Sequence, residues 1–424
     1  MEASKPKFGV GTGVLVLLVA LGFVLAIIRY FNGLGSITNL NDSYPWGFWK
    51  AYVFFGIALG AGGFTLACMV YVFQLKRYHA VIRPAVLIGL LGYISAIVML
   101  LVDLGRYERI WYQMFLWQHH SALFEVGWCV FMYTIVLMFE FSSTLFERFR
   151  LEKVQRIVRG ITPFVMFAMM AIFSMAVTGS LLWTAVAVAL MVLFQILVWT
   201  GLFPDEKITP PLLVMTGVIL SALHHSSLGT IFLIVPHKLS EIWHTPILPI
   251  LFFLSAVAVG PAMVVFVSVL TSKVLRKELV DLEILSRLGR AIPYILGLYL
   301  LLRIADLVGR NAVDAVFTLN VQSVFLWLEI GVGVILPMTL LIMPEIHRNA
   351  TGLLWSTLSL IVGVVLNRTN VCVVGIKVMS WEETYFPSWM EFAVSAALVA
   401  ACTLAFLLMT RYFPVYEEEA TSTV

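Results

Sequence analysis

The side chains with most chemistry to offer stand where apolar runs begin and end. Asp103 and Arg106 close one run, in Leu-Val-Asp-Leu-Gly-Arg-Tyr, and Glu125 opens the next, in Ser-Ala-Leu-Phe-Glu. Asp306, Arg310 and Glu329 repeat the arrangement, and the spacing from Arg to Glu is 19 residues in both copies. An ionised group at such a margin carries a desolvation cost, so it must pair, hold a proton or hand one on. Asp103 and Arg106 are three apart and can pair across one helical turn. Glu125 lies a turn inside its run and needs a partner of its own. Two matching sets point to a duplicated polar site rather than to stray loop charges.

The eight histidines include a pair in Ala222-Leu-His224-His225-Ser226-Ser227-Leu-Gly229 and another at His119 and His120. Adjacent residues point about 100 degrees apart on a helix, so at most one of the pair at His224 and His225 faces a given pocket. All four are expected toward one margin of the membrane, near Asp103 and Glu125, where helix ends can frame a shallow cavity. A b-type haem would instead take histidines from facing helices well inside the bilayer. Cys68, Cys129, Cys372 and Cys402 stand singly with no C-x-x-C. Neither a disulfide framework nor a cysteine-ligated cluster is indicated, and no metal site is expected.

Membrane helices must position these groups. Hydrophobic residues make up 61% of the chain and charged ones 12%, and apolar runs long enough to cross a bilayer recur from 10–28 to 388–411. Twelve crossings are predicted. The net charge of +3, dispersed over short loops, offers nothing to a nucleic acid. Basic residues gather after the second, fourth and eighth runs, at Lys76, Arg77 and Arg83, at 148–159 and at 273–290. The positive-inside rule makes those loops cytoplasmic. Both termini then lie inside, and the margins holding Asp103, Glu125, Asp306 and Glu329 face outward. The expected location is the plasma membrane, as a multi-pass protein.

The repeat reaches beyond its polar core. Gly60-Ala-Gly-Gly followed by Lys76-Arg77 is answered by Gly260-Pro-Ala followed by Arg276-Lys277, at an offset of 198 to 204 residues. The predicted fold is an all-α polytopic membrane protein, with about twelve transmembrane helices in two parallel pseudo-repeated bundles plus extra helices. Its expected parts are a first bundle with an outward polar site at 1–158, an inserted hairpin at 159–203, a second bundle at 204–411 and a cytoplasmic acidic tail at 412–424.

Several stretches together resemble the NrfD/PsrC family. They are Asn32-Gly-Leu-Gly-Ser-Ile-Thr-Asn-Leu-Asn with Tyr44-Pro-Trp-Gly-Phe-Trp, Asp103-Leu-Gly-Arg-Tyr, Ser121-Ala-Leu-Phe-Glu, Leu145-Phe-Glu-Arg, His224-His-Ser-Ser-Leu-Gly and Tyr385-Phe-Pro-Ser-Trp-Met-Glu391. The resemblance covers nearly the whole chain and is closest to the HybB-like and DsrP (HmeB)-like branches, departing from the HybB pattern at about 155–203. It implies a haem-free subunit, without an iron-sulfur cluster of its own, that exchanges electrons and protons between menaquinone and a ferredoxin-like iron-sulfur subunit on the outer face. Further redox subunits, whether cytochrome, hydrogenase or sulfur-metabolism catalytic subunits, would complete the complex in the lipid bilayer.

A quinone needs an apolar slot, donors for two carbonyl oxygens and a proton route. His224 with Ser226 or Ser227 is expected to donate to one oxygen, Asp103 held by Arg106 to relay protons, and Glu125 to lie below it. Trp46, His120, Ser121 and His225 are expected to line the slot. The rival classes are a proton-translocating version of the same fold and an ion or solute transporter. A transporter would favour interrupted helices with binding residues near mid-membrane.

Overall fold

A computed structural model describes residues 9–44, 46–201, 211–234, 237–377 and 385–416. Twelve helices among them are long and apolar enough to cross a membrane. They are α1 (Val10–Asn32), α2 (Phe48–Tyr71), α3 (Lys76–Asp103), α4 (Ala122–Arg148), α5 (Glu152–Thr178), α6 (Leu181–Trp199), α7 (Leu212–Leu233), α8 (Leu248–Leu275), α9 (Leu282–Gly309), α10 (Val321–Ile342), α11 (Ala350–Val374) and α12 (Trp389–Tyr412). Hydrocarbon supplies no hydrogen-bond partner, so a spanning chain must close its backbone bonds on itself. The chain is a multi-pass integral membrane protein. Loop residues start and stop several helices: Ser121 accepts from Phe124 N at 3.3 Å to cap α4. Gly179, at φ +62°, ends α5 and lets the chain turn back into α6.

Lipid tails are as apolar as leucine, so helices in a membrane hold together by close packing of small residues and by polar contacts. The two halves meet where α2 crosses α8. A Cβ placed on Gly62 would lie 2.9 Å from the Cα of Gly260, so only glycine admits this approach. Gly62 and Gly260 are 198 residues apart, within the offset of the repeat. Contact between equivalent positions is what a two-fold axis between parallel bundles requires.

Around that crossing, α2, α3, α4 and α7 form one bundle, and α8, α9, α10 and α11 form the other. Helix α7, which follows the boundary expected at 204, packs on α4 and α2 as well as on α8. Its counterpart is α11. The Glu125–Ser227 hydrogen bond in the first bundle answers Glu329–Asn370 in the second. Those partners are 102 and 41 residues apart, and the inserted hairpin of α5 and α6 takes up most of the difference. The hairpin starts at Glu152 rather than 159 and packs against α4 and α7, while α1 and α12 pair with each other beside α3.

Asp103, Glu125, Asp306 and Glu329 all lie toward one end of the helices, here the polar end. The other is the basic end. There the chain after α12 is tied down, with Arg83 donating to Pro414 O at 3.0 Å, Arg148 Nε to Tyr412 O at 2.8 Å, and the Tyr416 hydroxyl 3.3 Å from Ser268 Oγ. Burial pushes the Tyr416 phenol up to about 12. The acidic stretch from 417, Pro45 and Trp381 lie outside the described residues.

Candidate functional site

The seam between α4 and α7 carries the first-bundle site. Glu125, Cys129 and Tyr133 follow one another at four-residue spacing on α4, and Ser227, His224 and Gly217 face them from α7. At the top of the seam Ser227 Oγ donates to Glu125 Oε1 at 2.6 Å. Glu125 is half-buried, not enclosed. One turn down, His224 Nδ1 lies 2.8 Å from the Tyr93 hydroxyl, and the Tyr93 ring packs edge-on against Tyr133 at 4.8 Å. Tyr133 donates to Gly60 O at 3.1 Å. His224 Nε2 is buried with no hydrogen-bond partner. His225 turns the other way, toward Phe64, and its Nδ1 donates to Ser221 O at 2.6 Å.

These positions correct the expectation that four histidines gather at the margin. His224 stands nine residues below the end of α7, roughly 13 Å at 1.5 Å per residue. His119 and His120 are exposed in the loop, and His119 Nδ1 lies 2.7 Å from Ala176 O at the end of α5. The serine and histidine of the motif are one turn apart on one face, which the sequence allowed, but nothing local in it fixed their depth. Ser121 serves as a helix cap, and Trp46 packs on Phe232, 5.4 Å between rings.

Asp103 is also paired otherwise than expected. Its partner is Lys50, at 3.0 Å from the first turn of α2, and Arg106 is exposed. The α3 helix stops at Asp103, with Leu104 extended, so Arg106 is no longer on the face of Asp103. Arg29 of α1 takes the end of the helix instead, donating to Val102 O at 2.6 Å and to Leu104 O. Nearby, the Tyr385 hydroxyl donates to Glu391 and accepts from Phe48 N at 2.9 Å. Burial, the hydrogen bond to Glu391 and the charge on Asp103 all hold that phenol well above its usual range. Asp103 therefore belongs with α2 and the start of α12, apart from the α4–α7 seam. Lys50, Arg29, Tyr93 and Glu391 were missed by sequence reasoning. A lysine one turn inside an apolar run was the available signal for Lys50.

The second bundle fills the same places differently. Glu329 is 2% exposed and accepts from Asn370 Nδ2 at 2.7 Å, Asn367 Nδ2 at 2.8 Å, Trp243 Nε1 at 3.3 Å and the Tyr299 hydroxyl at 3.4 Å. Asn370 reaches it from a π turn that ends α11. Asp306 is clasped by Arg310 through both oxygens, at 2.9 and 2.6 Å, and by Thr245. Close by on α9, Arg303 has its Nε and Nη2 buried without hydrogen-bond partners. Arg368 donates to Ser255 Oγ at 2.8 Å and lies 3.8 Å over the Phe252 ring. Further down α4, Glu140 Oε1 is buried without a partner between two cavities of about 20 Å³, each with room for one water.

This duplicated arrangement has known relatives. The family model described as "Polysulphide reductase, NrfD" matches residues 36–380. The chain belongs to the NrfD family. Among similar proteins, the "Menaquinone reductase, integral membrane subunit" of Nitratidesulfovibrio vulgaris is 28% identical, covering 92% of this chain and 87% of that one. The "Probable Ni/Fe-hydrogenase 2 b-type cytochrome subunit" of Escherichia coli K12 is 27% identical over 94% of this chain and 90% of its own. A selenate reductase subunit of Mesobacillus selenatarsenatis is 24% identical, over 96% and 94%.

One of those names carries a b-type cytochrome, and the surroundings of His224 in this NrfD-family chain do not fit a haem. The Tyr93 ring stands against the imidazole, 5.5 Å between centroids, with its hydroxyl on Nδ1, and is itself wedged between Gly60 and Tyr133. Among the described residues no three of His, Cys, Asp or Glu come together to hold a metal ion.

Proposed function

We propose that this chain is the quinone-reactive integral membrane subunit of a multi-subunit redox complex. In this reading a menaquinone head binds at the polar end of the α4–α7 seam, and electrons pass to or from an iron-sulfur subunit docked over that end. The observation that carries the reading is the contrast between equivalent carboxylates. Glu329 is saturated by four donors, whereas Glu125 has one hydroxyl on one oxygen and partial access to its surroundings. Names of relatives that include a menaquinone reductase and a hydrogenase subunit support the substrate class and the setting.

Reduction of a quinone to a quinol takes up two protons with two electrons, so the head must meet groups that give and take protons. Glu125 is placed for this. As a carboxylate it accepts from a quinol hydroxyl, and as an acid it donates to a quinone oxygen. Ser227 and Ser226 supply further hydroxyls on the same turn. His224, buried among tyrosines, orients the seam one turn deeper through its bond to Tyr93. The Asp103–Lys50 pair, whose side chains are 9% and 16% exposed, exchanges protons with water at the margin. With twelve crossings and basic loops at the opposite end, the polar end faces outward and both termini face the cytoplasm.

The test is binding of a soluble naphthoquinol, held reduced, whose hydroxyl can donate to the Glu125 carboxylate, to the purified chain in lipid nanodiscs. Glu125→Gln keeps the shape and removes the charge-assisted bond, and affinity is expected to fall about 10- to 150-fold with unchanged melting. Parental affinity in Glu125→Gln, with loss in Asp103→Asn, would move the head to the α2–α3 margin.

A further inference from the structure

The cavities around the described residues differ sharply in size. Those beside Glu329 and on either side of Glu140 are about 20 Å³ each, water-sized. Between α5, α6 and α7 lies one of about 500 Å³, within the range of small-molecule sites. Its walls are apolar throughout except for Thr216, with Met170 from α5, Leu190, Met191 and Phe194 from α6, and Met215 and Ile219 from α7. Unbranched methionines and a small Ala187 give walls that adapt to a flexible chain.

The groove and the seam share helix α7. Leu212, Met215, Ile219, Leu223 and Ser226 recur at three- and four-residue spacing, which sets them on one face of the helix. Leu212, Met215 and Ile219 line the groove, Leu223 above them is exposed to lipid, and Ser226 stands beside Ser227 and Glu125 at the top. From Ser227 down to Met215 is twelve residues, about 18 Å of helix. Among the described residues the second bundle has no helices in the place of α5 and α6, and the cavity beside Glu329 is water-sized.

We propose that the inserted α5–α6 hairpin builds the tail site of the quinone. The head rests at Glu125 and Ser227, and the isoprenoid chain runs down the face of α7 into the groove. This rests on the reading of the Glu125 end as a quinone site and adds to it a site for chain length. A polyprenyl chain fits the observation: the groove is apolar, opens to lipid beside the exposed Leu190 and Leu193 so that a tail can enter it from the bilayer, and shares one face of α7 with Ser226 at the polar end of the seam.

The experiment compares a long-tailed menaquinone with tail-less menadione on the full chain in nanodiscs. Ala187→Phe, on the lipid-facing helix α6, fills the groove where the fold tolerates bulk. The expected result is about a tenfold weaker affinity for the long-tailed quinone with menadione binding unchanged. As a second measurement that needs no variant, a quinone with a photoreactive azide at the tail end should label α6 or the lower half of α7. Parental affinity for both quinones in folded Ala187→Phe, or labelling of α2, α3 or α12 instead, would overturn the tail site and leave the groove to membrane acyl chains. Failure of the head site is recognised separately, because there binding of the reduced, tail-less menadiol would be indifferent to Glu125→Gln.

Discussion

Glu125 and Glu329 are the same residue at equivalent places in two copies of one bundle, yet their surroundings differ in kind. Around Glu329 the facing positions on α11 carry amides: Asn367 and Asn370 are a turn apart, and a π turn brings the second to the carboxylate. Their counterparts on α7 are His224 and Ser227, and of these only the serine reaches Glu125. The second copy has become a packed, donor-saturated knot. The first keeps a carboxylate with spare valence beside a lipid-facing flank. A duplicated site can thus diverge, one copy enclosing its carboxylate and the other leaving it open, without either losing its acid.

That contrast can be broken most severely at Glu329. Glu329→Leu leaves four buried donors without their acceptor, and a cost of about 3 to 5 kcal/mol is expected, read as loss of folded protein in detergent melts. A variant that melted like the parent would show that the second network does not hold the fold. Quinone affinity of whatever remains folded should be parental.

A gentler change turns the first copy into the second. Ser227→Asn offers Glu125 an amide of the kind that Asn370 gives Glu329, and naphthoquinol affinity is expected to drop about tenfold with little change in melting, since one neutral hydrogen bond is worth about 1 kcal/mol or somewhat more. Unchanged affinity would mean that the spare oxygen of Glu125 is not what the quinone uses.

The smallest expected effects come from the two ion pairs at the margin. Asp103→Asn and Arg310→Ala should both leave quinone affinity near the parental value, while loss of a pair whose carboxylate is only 9% or 6% exposed lowers stability by about 1 to 3 kcal/mol. They should part company in turnover, where only Asp103→Asn slows the proton-coupled step. Equal rates for the two variants, measured with the assembled complex and normalised to its amount, would remove Asp103 from the proton route.

Hydropathy alone determined the class, the number of crossings and most helix limits, because a bilayer tolerates no other backbone solution. The repeat was also legible, since equivalent glycines and carboxylates recur at offsets of 198 to 204 residues and Gly62 does meet Gly260. Local spacing identified Glu125, Ser227 and His224 as residues of interest. What the sequence could not supply was partnership across helices. Arg106 looked like the partner of Asp103 because it is three residues away, but the helix ends at Asp103 and Lys50, 53 residues earlier in the chain, takes the carboxylate. His224 looked marginal beside its serines, yet the position of α7 in the first bundle sets it deep against Tyr93. Only tertiary structure decided that α7 belongs with α4 across a hairpin of two helices, because an insertion hides the equivalence of α7 and α11 from any constant offset. In the membrane, length and apolarity specify each helix by itself, while the choice of neighbours rests on a few small residues and hydrogen bonds whose partners lie far apart in the chain.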